Sequence, residues 1–129
     1  MRPKKKDNTL LTDVELEFMK ILWALGEGKV RDVMAAFPST RKLAYTSAST
    51  ILRILEQKEF VQSRKEGISH IYSPLVAKAV YENTSLNHLV KHVFEDAPLA
   101  MVTRLVDDER MPEDQLLKLK ELIETRLSE

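Results

Sequence analysis

The sequence predicts a mainly α-helical fold with one small β-hairpin, divided into two domains. Apolar residues recur at helical spacing over much of the 129 residues, and one segment alternates polar and apolar residues around a glycine. The charge also changes sign along the chain: residues 1–75 hold 13 Lys and Arg against 9 Asp and Glu (+4), and residues 76–129 hold 7 against 11 (−4). We therefore expect a disordered basic tail at 1–8 and domains at 9–75 and 76–129.

The first two helices are predicted from their end signals. Thr12 and Glu15 stand three residues apart in the pattern of a capping box, which marks a helix start. An apolar stripe follows, and Gly26 ends the helix. A short second helix is expected from about Val30 to Phe37, because Pro38 closes it.

Residues 44–57 carry the most informative helix. One side gathers the apolar residues Ala48, Ile51, Leu52 and Leu55, and the opposite side gathers Thr46, Ser49, Thr50, Arg53 and Gln57. A solvated helix face usually carries mostly Lys and Glu, whereas this one is short-chained and rich in hydroxyls. Short side chains let a helix enter the major groove of DNA, where Arg53 can reach a guanine edge or a phosphate. The bland alternative is that Thr46 or Ser47 merely caps the helix.

A β-hairpin follows this helix directly. Phe60–Arg64 and Ser69–Ser73 alternate apolar and polar residues around Lys65-Glu66-Gly67, and glycine supplies the positive φ of a tight turn. Three helices followed by a hairpin form a winged helix-turn-helix, a DNA-binding fold. On the wing, Lys65 is expected to contact phosphate, although a solvated turn would explain it too. Arg41 and Lys42, in the linker before the third helix, are expected to bind DNA as well.

Several functional classes are excluded by what the sequence lacks. It has no cysteine, which rules out disulfides, thiolate metal sites and cysteine nucleophiles. It has no membrane-length apolar run and no signal-peptide pattern, so we expect a soluble, cytoplasmic protein. It has neither a nucleophile motif nor a Gly-rich phosphate loop, so we expect no enzyme and no small-molecule cofactor.

The C-terminal region is predicted to form three helices, at about 76–95, 99–107 and 113–127. Pro98 and Pro112 stand at the starts of the second and the third, where a missing N–H costs nothing. Their apolar stripes are too long for about fifty residues to bury alone, so we expect them to pack against a second copy of the chain. The residues expected at this dimer interface are Leu86, Leu89, Val93, Leu116, Leu119 and Ile123. The alternative is that these helices fold back onto the core of their own chain.

Taken in order, the motifs resemble those of the BlaI/MecI family of penicillinase repressors, over nearly all of residues 11–127. They are Leu11-Thr12-x-x-Glu15 with Met19 and Leu22-Trp23, Leu43-Ala44-Tyr45-Thr46 with Thr50, and Gly67 followed by Ile71-Tyr72-Ser73-Pro74. The resemblance implies a homodimeric transcriptional repressor. Its winged helix would bind operator palindromes of the TACA/TGTA type, and its C-terminal helices would interlock. It implies that the DNA-reading face of the third helix carries Thr46, Ser47, Thr50 and Arg53, and that the wing carries Lys65.

The chain also departs from that family. Glu59 stands where Gly is common, so the third helix must end without an easy left-handed residue. Ile54 and Ile68 stand where Arg is common, which lowers the positive charge of the expected interface. Antibiotic-responsive members are inactivated by a regulatory protease at an Asn-Phe bond, and the matching position here is Arg104-Leu105. The cysteine cluster of the copper-responsive members is absent.

Two other functions remain open at this point. His88 and His92 are four residues apart on one predicted helix and could ligate one metal ion, with further ligands from Glu82, Glu95 or Asp96 of a partner chain. The chain would then be a metal-responsive regulator. Alternatively, the winged helix could be a protein-interaction adaptor, although its polar face lacks the aromatic anchors typical of protein-binding surfaces.

Overall fold

The computed structural model describes residues 10–129, so the tail predicted at 1–8 lies outside the described residues. Within this range the chain forms six helices and one antiparallel hairpin, which confirms the predicted fold class. The elements are α1 (Asp13–Leu25), α2 (Val30–Ala36), α3 (Tyr45–Gln57), β1 (Val61–Glu66), β2 (Ser69–Pro74), α4 (Lys78–His92), α5 (Pro98–Asp107) and α6 (Glu113–Leu127). No helix among these residues is long and apolar enough to cross a membrane.

Two compact units divide the chain. The first ends at Ser85 and the second comprises Leu86–Glu129. The first unit holds the buried core. Its largest fully buried side chains lie on α1, on α3 and directly before β1, and include Phe18, Met19, Leu22, Leu52, Leu55 and Phe60. The domain limits at residues 75 and 76 remain a prediction drawn from the charge distribution.

The start of α1 confirms the predicted capping box. The Glu15 amide donates to Thr12 Oγ1 at 3.2 Å, and the Thr12 amide donates to Glu15 Oε1 at 3.0 Å. Helix α1 therefore begins at Asp13, because two otherwise unpaired amides are satisfied there.

Helix α3 buries the predicted side and exposes the other. Ala48, Leu52 and Leu55 are fully buried, and Ile51 is partly buried. The N-cap is Ala44, and no side chain makes a capping hydrogen bond to α3. The alternative that Thr46 or Ser47 caps the helix is therefore wrong, because neither side chain makes a hydrogen bond to the backbone at the start of α3.

The hairpin turns later than predicted. Strand pairing runs from Val61 opposite Pro74 to Glu66 opposite Ser69, so Lys65 and Glu66 belong to β1 and the loop is Gly67-Ile68 alone. Gly67 has φ +64°. A two-residue loop with glycine at its first position is the arrangement of a type II′ turn, whose twist suits an antiparallel pair.

Two tertiary connections fix the hairpin and the start of α4. Gly28 and Tyr72 exchange backbone hydrogen bonds of 2.9 and 2.8 Å, which tie β2 to the loop before α2. The Tyr81 hydroxyl accepts a hydrogen bond from the Leu11 amide at 2.8 Å, and its ring meets the Phe60 ring edge-on. The first residues of α4 are consequently part of the first unit's core.

Helix α3 ends at a strained position. Glu59 has φ +66°, a left-handed conformation that glycine adopts far more easily. The sequence predicts that α3 must end without a residue that adopts this conformation easily. The structure confirms this, because Glu59 itself takes the left-handed conformation.

The second unit has a different character. None of the residues 86–129 is buried, although the unit contains two complete helices and the end of a third. Pro98 is the first residue of α5 and Pro112 is the N-cap of α6, as their position at predicted helix starts indicated. Helix α4 ends at His92, three residues before the predicted end at Glu95.

Candidate nucleic-acid interface

The exposed face of α3 presents the predicted reading residues. Thr46, Ser47, Thr50 and Arg53 are all exposed, and Ser49 is partly buried beside them. Arg53 Nη2 donates to Thr50 Oγ1 at 3.3 Å, so these two side chains lie together on one surface. Hydroxyl groups can donate to or accept from base edges, and a guanidinium can donate to guanine or phosphate.

Three basic side chains among residues 10–85 are held in ion pairs. Arg41 donates to Glu17 at 2.9 Å and also stacks on the Phe37 ring, with its guanidinium carbon 5.1 Å from the ring centroid. This hydrogen bond lowers the pKa of Glu17 and raises that of Arg41. Arg41, which the sequence predicts to bind DNA, therefore already has a carboxylate on its hydrogen-bonding edge.

The wing shows a similar division. Arg64 donates both terminal nitrogens to Glu27, at 2.8 and 3.0 Å. Lys65, its neighbour on β1, is exposed, as is Lys42 before α3. Within residues 10–129, Lys42, Lys65 and Arg53 have no ion pair, so these three keep their charge available to a phosphate.

The third ion pair is partly buried and joins the start of α1 to the C-cap of α3. Both Glu15 oxygens accept from Lys58 Nζ, at 2.9 and 2.8 Å. Burial of Glu15 opposes its ionisation, but the hydrogen bonds from Lys58 and Thr12 outweigh burial and lower its pKa below the ordinary 4.5. The pair holds α3 in place and is not available to DNA.

A cleft between α3 and β2, which we call the α3–β2 cleft, lies beside the reading face. It is lined mainly by polar and basic side chains, with none acidic, from the start of α2, the start of α3, and β2: Lys29, Arg31, Tyr45, Ser49, Ser69 and His70. Burial raises the pKa of Tyr72, at its floor, so that hydroxyl stays neutral at physiological pH.

Arg31 and Tyr45 are functional candidates that the sequence reasoning missed. The Arg31 guanidinium carbon lies 5.0 Å above the Tyr45 ring centroid, and Tyr45 itself is 46% exposed. Arg31 is in α2 and Tyr45 is in α3, so the spacing of residues within one helix could not predict their contact. The sequence offered one local indication, which is that Tyr45 precedes the hydroxyl-bearing residues of α3.

His88 and His92 lie as the sequence predicted, on one side of α4. Their ring centroids are 4.5 Å apart. Among residues 10–129, however, no three His, Cys, Asp or Glu side chains are grouped so as to hold a metal ion. The carboxylates named as further ligands are not gathered around this pair within the chain.

Comparison with known proteins shows the family to which the chain belongs. Residues 11–125 match the family model described as Penicillinase repressor. The chain belongs to the penicillinase repressor family. The penicillinase repressor of Bacillus licheniformis is 20% identical to it over 114 residues, which are 88% of this chain and 89% of that protein. Transcriptional regulator BlaI of Mycobacterium tuberculosis is 37% identical over 68 residues, which are 52% of this chain and 49% of that one.

The penicillinase repressor fold also recurs in a solved structure. The DNA-binding domain of the repressor BlaI is 26% identical and superposes with a TM-score of 0.51, covering 57% of this chain and 90% of that domain. The expected winged helix is thereby confirmed. As a family member, the chain is a DNA-binding transcriptional repressor and not an enzyme, as the sequence predicts.

Proposed function

We propose that this penicillinase repressor homologue binds two-fold symmetric operators as a homodimer and represses transcription by occupying them. The observation that carries the proposal is the exposed face of α3, where Thr46, Thr50 and Arg53 share one surface beside a projecting hairpin. Such a helix fits the major groove and contacts base edges, while Lys42 and Lys65 bind phosphates of the DNA backbone.

The homodimer is supported by the second unit. Exposed apolar side chains recur along its helices. Of the six residues predicted at the dimer interface, four are exposed and two are partly buried: Leu86, Leu89, Val93 and Ile123 are exposed, and Leu116 and Leu119 are partly buried. Helices that bury so little within their own unit gain stability by covering one another. A two-fold axis through this unit presents two copies of α3 to two half-sites about one helical turn of DNA apart, or a multiple of it.

A regulatory protease is the further partner that the family resemblance suggests. The bond matching the cleavage site joins Arg104 and Leu105, which lie inside α5 (Pro98–Asp107). An intact helix hides its backbone groups in internal hydrogen bonds and is a poor protease substrate. The proposed mechanism therefore does not include cleavage at this bond.

Selection from random duplex DNA tests the proposal. The purified chain is incubated with a random library, bound duplexes are amplified, and the winner is titrated. We expect enrichment of a palindrome, with TACA and TGTA half-sites as the expected sequence, and two chains bound per duplex. A folded chain that enriches no sequence would contradict the proposal and favour the adaptor function.

A further inference from the structure

We propose that the α3–β2 cleft seats the sugar-phosphate strand of the bound duplex, and that Arg31, held against Tyr45, donates to one phosphate of that strand. The inference rests on the proposed DNA binding and assigns the phosphate-contacting residue within it. Its starting point is position, because the cleft separates the two elements that face DNA.

The geometry of a duplex supports this placement. If α3 lies in the major groove, the hairpin beside it must cross the strand that bounds that groove. The strand between the two elements then runs along the cleft, which is lined by Lys29, Arg31 and His70 and by no acidic residue. A basic channel of this kind suits a phosphate backbone, because Lys and Arg displace its counterions.

A comparison of two stacked arginines identifies Arg31 as the donor. Arg31 lies 5.0 Å from the Tyr45 ring centroid, and Arg41 lies 5.1 Å from the Phe37 ring centroid. Stacking uses the face of a guanidinium and leaves the N–H groups on its edge free. The edge of Arg41 is occupied by Glu17 at 2.9 Å, whereas Arg31 has no ion pair among the residues the structure describes.

Tyr45 acts as a positioning residue in this arrangement. A free arginine loses considerable rotamer entropy when it binds a phosphate, and a ring that already holds the guanidinium reduces that loss. Asp32, the acidic neighbour of Arg31, is engaged elsewhere: its Oδ2 accepts from the Lys29 amide at 2.9 Å and caps α2. Arg31 is exposed, so its guanidinium is accessible to an incoming anion.

The first test is the salt dependence of binding by Arg31→Gln. Affinity is measured for the full chain on its selected operator and on an unrelated duplex, between 50 and 200 mM salt, that is, roughly the range over which phosphate contacts dominate. We expect about tenfold weaker binding to both duplexes and a log–log salt slope smaller by about 0.9. Lys20→Gln, which removes the same charge from an exposed position on α1 outside the cleft, is the control and should leave the slope nearly unchanged.

Two results would overturn the inference. An unchanged affinity and slope for Arg31→Gln, with wild type binding normally, would remove Arg31 from the interface and leave the proposed function intact. A loss confined to the selected operator would mean that Arg31 reads a base. Failure of the wild-type chain to bind any duplex would instead refute the proposed function itself.

The second test separates positioning from direct contact by Tyr45. Tyr45→Phe keeps the ring and should bind like wild type, whereas Tyr45→Leu should lose several-fold in affinity. In the Arg31→Gln background, Tyr45→Leu should cause no further loss, because its effect passes through Arg31. An equal loss in both backgrounds would show that Tyr45 contacts DNA itself and would overturn its positioning role. Thermal unfolding of each variant confirms that the fold is retained.

Discussion

Lys58→Met should destabilise the winged helix strongly because it leaves a buried carboxylate without its cation. Glu15 is only 7% exposed, and Lys58 donates to both of its oxygens. Removing one partner of a fully buried pair costs roughly 3–5 kcal/mol. The Lys58 side chain is 34% exposed, so water reaches the site, and we expect a loss of about 2 kcal/mol. For a domain of this size that loss lowers Tm by roughly 8–16 °C.

Urea unfolding followed by the fluorescence of Trp23 measures this loss. Trp23 belongs to the same unit, and its indole nitrogen donates to the Val76 carbonyl at 2.9 Å, so its signal reports unfolding there. Arg64→Met is the matched control. It breaks the Arg64–Glu27 pair, whose side chains are about half exposed, and should not change stability measurably.

The pH dependence gives a second check with a definite sign. In the wild type the pKa of Glu15 lies below 4.5, so the pair's contribution is complete above that pH and is lost as the pH falls through the folded-state pKa. In Lys58→Met the hydrogen bonds between Glu15 and Thr12 remain but those from Lys58 are lost, so the pKa of Glu15 rises above its wild-type value. Protonation of Glu15 then relieves the buried charge at a higher pH than in the wild type, and the penalty should shrink as the pH is lowered from 7. The reasoning is refuted if Lys58→Met costs no more than Arg64→Met, or if its penalty grows on acidification.

Three further variants test the reading face, the dimer and the backbone. Arg53→Ala should weaken operator binding by about 1–3 kcal/mol in a fluorescence anisotropy titration, and an unchanged affinity would remove Arg53 from the reading face. Leu119→Asp with Ile123→Asp should give monomers by analytical ultracentrifugation that still bind half-sites weakly, and a tight dimer would place the interface elsewhere. Asp96→Gly should raise the free energy of unfolding by about 0.5–1 kcal/mol, because Asp96 has φ +64°, a conformation that glycine adopts without strain. A lower free energy of unfolding for this variant, measured by urea denaturation, would contradict the presence of strain at Asp96.

Local signals were sufficient to predict the helices. The capping box at Thr12, and the prolines at 98 and 112, act within a few residues of the helix ends that they mark. The buried stripe of α3 was equally predictable, because helical periodicity alone places Ala48, Leu52 and Leu55 on one side. These features depend on the chain's own neighbours and need no tertiary information.

The allocation of the arginines could not be predicted in this way. Arg41 pairs with Glu17, which is 24 residues away in the sequence, and Arg64 pairs with Glu27, which is 37 residues away. Arg31 in α2 stacks on Tyr45 in α3. Sequence reasoning counts each of them as an available positive charge, although tertiary packing occupies two of the three. The turn was displaced for a related reason: pairing extends through Glu66, which leaves Gly67 as the first loop residue.

The most direct test of the account is titration of the wild-type chain against its selected operator, an isolated half-site and an unrelated duplex at two salt concentrations. We expect two chains on the intact operator, much weaker binding to the half-site, and affinity that falls steeply with salt on every duplex. Equal affinity for operator and unrelated duplex, or binding that does not respond to salt, would contradict a dimeric repressor that reads its operator through α3.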